Sequence, residues 1–190
     1  RHTWAAYVMP EWRPTPRWFV QAGLRMEAFT QRIDTLPVHR DGTENMLNQR
    51  MTDLLPAINT IYYLNDQTNL RFSYGQTLVR PNERELTPLA FLDVNIGSVM
   101  GGNPELRRTK IHNLDMRWER YATGNQLISA GIFYKYFTNP IEQVNTEGFN
   151  TDLATSTQIY NTLNQDRAQS IGLEIEARWN PGYTFHNEVL

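Results

Sequence analysis

Apolar and polar residues alternate with a period of two along much of this chain, and few stretches carry the 3.6-residue period of a helix. Between 113 and 121, Leu114, Met116 and Trp118 fall on one side and Asn113, Asp115, Arg117 and Glu119 on the other. Between 170 and 180, Ile171, Leu173, Ile175, Ala177 and Trp179 oppose Gly172, Glu174, Glu176 and Arg178. Leu70, Phe72, Tyr74 and Leu78 oppose Arg71, Ser73, Gly75 and Thr77. Trp18, Val20, Ala22, Leu24 and Met26 oppose Gln21, Gly23, Arg25 and Glu27. The pattern predicts an all-β protein of about eight strands, over 3–12, 17–33, 53–64, 69–80, 110–121, 126–138, 169–180 and 183–190.

The connections say more than the strands. Four are short and built of turn-forming residues, at 13–16, 65–68, 122–125 and 181–182. They alternate with three long polar stretches, 34–52, 82–109 and 139–168. Compact soluble domains seldom hold loops longer than about 12–15 residues without structure of their own. Outer-membrane barrels combine short periplasmic turns with long extracellular loops. The expected fold is therefore an antiparallel transmembrane β-barrel with the long loops outside the cell. Trp12, Trp18, Tyr62, Tyr63, Tyr121, Trp179 and Tyr183 lie near the short turns, as an aromatic girdle at a bilayer interface would. The polar face carries Arg71, Asp115, Arg117, Glu119, Lys135, Glu174, Glu176 and Arg178. A wide, wet lumen accommodates such charges as cross-strand pairs, whereas a small packed barrel would have to bury them.

Composition narrows the function. The 190 residues carry a net charge of -2, so no basic patch points to a nucleic-acid partner. Cysteine is absent, which removes disulfides, thiolate metal sites and a cysteine nucleophile. No run of about 18 apolar residues could form a transmembrane helix. Arg1-His2-Thr3-Trp4 is neither a signal peptide nor an initiating methionine, and both ends look like strands in progress, so the chain reads as a piece of a longer protein. The four histidines, His2, His39, His112 and His186, show no metal-binding spacing. Gly101-Gly102 lacks the Lys-Ser/Thr of a phosphate loop, and Glu174 and Glu176 are better explained as lumen charges than as a glycosidase pair. The expectation is a non-enzyme with no catalytic residues, metal or cofactor.

Several segments, in order, resemble the barrel of TonB-dependent outer-membrane receptors. Leu55-Pro56-Ala57-Ile58-Asn59 followed by Asn69-Leu70-Arg71-Phe72-Ser73-Tyr74-Gly75-Gln76 resembles the family's paired strands around a short turn. Thr77-Leu78-Val79-Arg80-Pro81 with Arg84-Glu85-Leu86 is similar to a strand exit into a surface loop. Gly102-Asn103-Pro104-Glu105-Leu106 and then Asn113-Leu114-Asp115-Met116-Arg117-Trp118-Glu119 is similar to the family's most recognisable barrel segment, and Gly172-Leu173-Glu174-Ile175-Glu176 to the strand after the next loop. The resemblance covers 54–178; Arg107-Arg108 departs from the Lys-Pro of many relatives.

The resemblance implies that residues 1–190 are part of one barrel domain of about 22 strands, from its later part, with the plug domain and the remaining strands outside this sequence. It implies an outer-membrane receptor that takes up a ligand, such as a siderophore, vitamin, glycan or peptide, through a plugged barrel powered by TonB. The alternative is a receptor-like barrel serving as a structural subunit of an envelope assembly or secretion machine. Implied partners are outer-membrane lipid, the TonB energy-transducing complex and a surface lipoprotein or other envelope subunits. Within the loop 82–109, Glu83, Arg84, Glu85, Phe91, Leu92 and Asn103 are the candidate ligand-binding residues, because apolar anchors stand beside a charged run. The same loop could instead simply cover the barrel mouth.

Overall fold

Wall strands pair in a single antiparallel series, each with the next along the sheet. The structure, a computed structural model, describes all residues except 36–44, 88–89, 94–97, 123–125, 151–154 and 180–190. The wall comprises β1 (His2–Val8), β2 (Glu11–Thr15), β3 (Trp18–Thr35), β4 (Asn45–Asn65) and β5 (Thr68–Val79), then β8 (Thr109–Ala122), β9 (Gln126–Thr138) and β12 (Arg167–Arg178). The order is β1-β3-β4-β5-β8-β9-β12, with β2 also on β3, and no described pairing joins β1 to β12, so the sheet is an open arc. The expected strand at 183–190 and the turn at 181–182 lie outside the described residues.

The expected strand 3–12 is divided in two. Val8 pairs with Leu24 and Glu11 with Gln21, so the register runs unchanged across the break. Pro10, between them, has no N–H to donate, but its carbonyl accepts from the Ala22 amide at 3.1 Å. β1 and β2 are one wall position. The first turn is also tighter than expected, because β2 reaches Thr15 and β3 starts at Trp18.

Cross-strand partners share a face, so the registers sort the wall residues into two surfaces. One carries Trp18, Leu24, Met26, Leu54, Phe72, Met116 and Ile132, together with Ile171, Leu173 and Ile175, which are 71–75% exposed. The other carries Arg71, Asp115, Arg117, Glu119, Lys135, Glu174, Glu176 and Arg178, as the alternation predicts. An apolar face left exposed opposite a charged one is the inverse of a soluble sandwich, and it fits lipid outside and a wet lumen inside.

The girdle is partly as expected. Trp12, Trp18, Tyr62 and Trp179 are exposed, and Trp18 pairs with Tyr62 and donates from Nε1 to Thr60 Oγ1 at 2.6 Å. Tyr63 and Tyr121 instead share the lumen face, with Asn69 and Leu127, and the Tyr121 hydroxyl donates to Glu119 at 2.9 Å. They sit at odd positions of a period-2 strand, and proximity to a turn does not change parity. Tyr183 lies outside the described residues.

The three long connections hold more regular structure than expected. β4 begins at Asn45, so the β3–β4 ladder extends from Trp18↔Tyr62 to Thr35↔Asn45. The second connection holds the single-turn helix α1 (Glu83–Leu86), β6 (Ala90–Asp93) and β7 (Ser98–Gly101). The third is a hairpin of β10 (Ile141–Asn150) and β11 (Thr155–Asn164). These segments are rich in Asn, Thr and Gln. Beyond the bilayer neither face of a strand has to be apolar, so the period-2 signal disappears while the backbone ladder continues.

Candidate functional site

The second and third connections fold together at the barrel rim. β7 pairs in parallel with β11, Ile159↔Val99 to Asn161↔Gly101, giving a four-stranded sheet β10-β11-β7-β6. This rim layer is built on the wall by one continuous hairpin. β9 turns into β10 at Asn139-Pro140, and β11 returns into β12 at 165–166. Asn139 has φ 52°, in the left-handed region, which Asn tolerates better than most residues. Its amide donates to the Asp166 carbonyl at 3.2 Å, and the Gln165 amide to the Pro140 carbonyl at 2.9 Å.

Asn164 fastens the two connections. Its Nδ2 donates to the carbonyls of Arg107 and Asn139, both at 2.9 Å, and its Oδ1 accepts from the Arg107 amide at 2.7 Å. Buried Thr109 donates to the Asn139 carbonyl at 2.9 Å and accepts from the Ile141 amide at 3.2 Å. Asn103 donates from Nδ2 to the Thr162 carbonyl at 3.3 Å.

The helix docks by close backbone approach. Asn82 and Glu85 form a reciprocal cap: the Glu85 amide donates to Asn82 Oδ1 and the Asn82 amide to Glu85 Oε2, each at 2.9 Å. The Asn103 amide donates to the Glu85 carbonyl at 2.6 Å. A Cβ on Gly102 would overlap the Thr87 carbonyl oxygen and lie 2.9 Å from that of Arg84, so only glycine fits there. Leu86 and Leu106 are buried to 1% and 2% exposure and supply the apolar anchor.

Beneath the rim, ion pairs bind the loop ends to the lumen wall. The β4–β5 ladder stops at Ala57↔Gly75, next to Pro56. Above that point Asp53, 4% exposed, pairs with Arg80 at 3.3 Å and with Arg108 at 2.8 Å, while Arg80 also pairs with Glu27 at 2.9 Å and lies over the Phe29 ring. Arg80 leaves the end of β5 and Arg108 precedes β8, so one carboxylate holds both ends of the second connection. Lower in the lumen, Arg71–Glu119, Arg117–Glu119, Arg117–Glu176 and Arg178–Glu176 form a chain of pairs at 2.6–3.2 Å.

The sequence-selected residues take different places. Arg84 and Glu85 line a cavity of about 180 Å³ between α1, β7 and the hairpin, with Met100, Gln143 and Thr162. Glu85 and Asn103 have polar atoms engaged inside the loop by the cap, by Thr162 and by the Glu105 amide. The Glu83 carbonyl accepts from Thr87. The backbone of Phe91 and Leu92 forms β6, paired with Met100 and Val99; their side chains, and Leu89, lie outside the described residues. Ligand pockets usually measure about 300–1,000 Å³. The 180 Å³ cavity is therefore a gap within the layer, and a larger ligand would meet the layer's open surface. Sequence inspection missed Asn164, Thr109, Arg80 and Arg108. Only the Asn-Pro at 139–140 carried a local signal, as a turn dipeptide.

The family described as TonB dependent receptor-like, beta-barrel matches residues 1–189. Among solved structures, the chain is similar to the siderophore receptor PirA from Pseudomonas aeruginosa, with 16% identity over 92% of this chain and 28% of that one and a TM-score of 0.63. A mutant of the ferric enterobactin receptor PfeA from the same organism gives 17% identity, 92% and 24% coverage and a TM-score of 0.62. The Serratia marcescens receptor HasR, in complex with its hemophore HasA and heme, gives 14%, 92% and 31%, and 0.66. The chain thus spans between about a quarter and a third of these receptors. No curated protein matches it by sequence.

Proposed function

This chain belongs to the TonB-dependent receptor-like β-barrel family, and on that premise we propose that it forms the later part of the barrel of an outer-membrane uptake receptor. In this reading residues 1–190 belong to one barrel domain, and the plug and other strands lie elsewhere in the receptor. The rim layer faces the cell exterior and contacts the ligand, with Glu83, Arg84, Glu85, Phe91, Leu92 and Asn103 on its α1 and β6 side. The ligand then crosses the lumen with energy supplied through TonB. The observation that supports this most is the rim layer itself. Two connections far apart in sequence pair into one sheet, pinned to the wall by Asn164, Thr109 and Asp53. A loop needed only for solubility has no requirement for so many specific partners.

The relatives' names suggest the first ligands to try, ferric enterobactin and haem. In the full-length receptor, residues 84–101 are replaced by a Gly/Ser linker, leaving Asn103, Thr109 and the wall intact. Binding of ferric enterobactin and haem is measured beside heat-modifiable mobility, which reports barrel assembly. The expected result is an assembled barrel with binding reduced at least tenfold. Unchanged binding of a probe that the parent does bind would move recognition away from this layer. A parent that assembles but supports uptake of no nutrient chelate would favour the structural-subunit reading.

A further inference from the structure

The wall sheet forks on the rim side of Pro56. β4 pairs with β3 without a break from Trp18↔Tyr62 to Thr35↔Asn45, whereas its ladder with β5 ends at Ala57↔Gly75. β5 continues along β8 to Val79↔Thr109. Residues 45–56 of β4 and 76–79 of β5 therefore have a ladder on one side only. Proline has no N–H and is admitted to a sheet only where that side of the strand has no ladder to join. The β3–β4 ladder passes Pro56 intact, at Leu24, so the bare side of Pro56 faces β5. Pro56 thus fixes the level at which the two strands part.

Gly75 directly follows Tyr74, whose ring stacks on His112. Such amphipathic rings mark the membrane interface. An unpaired strand edge does not occur in hydrocarbon, so the fork opens where the wall leaves the bilayer. From there to Asn45 the β3–β4 hairpin is an arm on the order of 40 Å long, backed by β1 only as far as His2↔Thr30.

A few side chains close the fork. Arg80, the residue after β5, crosses β4 to reach β3. It donates to Asp53 at 3.3 Å and to Glu27 at 2.9 Å, and its guanidinium lies 4.7 Å from the centre of the Phe29 ring. Arg108 reaches Asp53 at 2.8 Å from the other end of the second connection. Gln31 opposes this clasp, one step beyond Phe29 on the same face of β3. It is 1% exposed, and neither its amide nitrogen nor its amide oxygen has a hydrogen-bond partner. A buried amide without partners destabilises the packed arrangement, and water would satisfy it on release. The closed fork therefore sets a few directional ion pairs against a polar group that packing leaves unsatisfied.

We propose that the β3–β4 arm is a hinged gate in the barrel wall, with Asp53 as its latch, Gln31 as the group that favours release and the level of Pro56 and Gly75 as its hinge. With the latch closed, Arg80 seals the lumen sideways above the membrane. With the latch released, the arm swings away from β5, and Glu27, Arg80 and Gln31 gain water. The ladder below Ala57↔Gly75 stays intact, so opening is a hinge motion and not unfolding. The device is independent of which ligand the receptor takes up.

The test uses the full-length receptor in detergent, with nitroxide labels at two pairs of exposed, outward positions on the same two strands. Asn48 and Gln169 lie on the rim side of the hinge, and Tyr62 and Ile175 lie below it. Pulsed electron resonance should give one distance for each pair in the parent. D53N should add a second population to the Asn48–Gln169 pair, longer by roughly 5 Å or more, and leave Tyr62–Ile175 unchanged. Adding Q31L, which removes the unsatisfied amide, should return most of that population to the parent distance. Where D53N does not assemble, R80Q releases the same bridge from the β5 side and takes its place. An unchanged Asn48–Gln169 distance would overturn the latch. Equal changes in both pairs would mean a loosened barrel without a hinge, and no recovery with Q31L would overturn the balance on which the gate rests.

Discussion

The barrel wall and the rim layer are both β-sheet, but they are held by different things. In the wall, neighbours in sequence pair with neighbours in space, and the β3–β4, β5–β8, β8–β9 and β9–β12 registers run without a shift. Side chains there decide which face is lipid and which is lumen. In the rim layer, β7 joins β11 in parallel across a long sequence separation, and the joint is made by side chain to backbone bonds from Asn164, Asn103 and Thr109. The wall is specified by a repeating pattern carried by many positions at once. The rim depends on single residues, each with several partners.

The largest effect should come where the two regions meet. D53A removes the carboxylate shared by Arg80 and Arg108, leaving Arg80 with Glu27 alone and Arg108 without its buried partner, at a cost of about 3 kcal/mol. Urea-induced unfolding of the refolded full-length barrel should shift accordingly. If D53A proves as mild as an exposed charge change, the ion pairs do not replace the β4–β5 ladder that ends at Ala57, and wall and rim are held independently.

Next, N164A removes three hydrogen bonds and strands the Arg107 amide, a loss of roughly 2–3 kcal/mol. The loss should be confined to the rim. Hydrogen exchange should accelerate over 103–107 and 139–141 and stay unchanged in β8 and β9 below. Acceleration throughout β9 would mean that the two regions unfold as one unit.

A smaller effect is expected at the corner. N139A places alanine in the left-handed region at about 1 kcal/mol, while N139G should be neutral or better. Equal thermal stability of N139A and N139G would show that the corner is held by its hydrogen bonds and not by the backbone conformation of that residue. Least of all should R178Q matter. Arg178 pairs with Glu176 at 3.2 Å on a half-exposed lumen surface, worth less than about 1 kcal/mol. A larger loss would show that the lower charge chain acts as a network.

Much of the wall was legible from sequence. The strand 126–138 agrees with β9 at both ends, and the lumen charges from Arg71 to Arg178 lie on the face the alternation assigns. Tyr63 and Tyr121 face the lumen and not the lipid because strand parity, and not nearness to a turn, sets the side a residue faces. The rim was legible only as length and polarity. β10 and β11 mix β-branched and aromatic residues with Asn, Gln and Glu without a sustained apolar–polar alternation, so their pairing is read from partners and not from period. The candidate residues fared likewise: Arg84 and Glu85 line one cavity with Gln143 and Thr162, which no local pattern connects to them.

The sequence by itself determined the all-β class, the two-faced wall, the alternation of tight turns and long connections, and the family. A bilayer on one side and water on the other impose a period-2 code on every strand between them, and that code can be read one residue at a time. The tertiary structure alone decided that the second and third connections form one sheet, that Asp53 holds both ends of the second, and that Asn164 ties the second to the third. In water on both sides no periodic burial constrains a strand, so its partner is selected by a few directional hydrogen bonds and ion pairs whose members lie far apart in the chain.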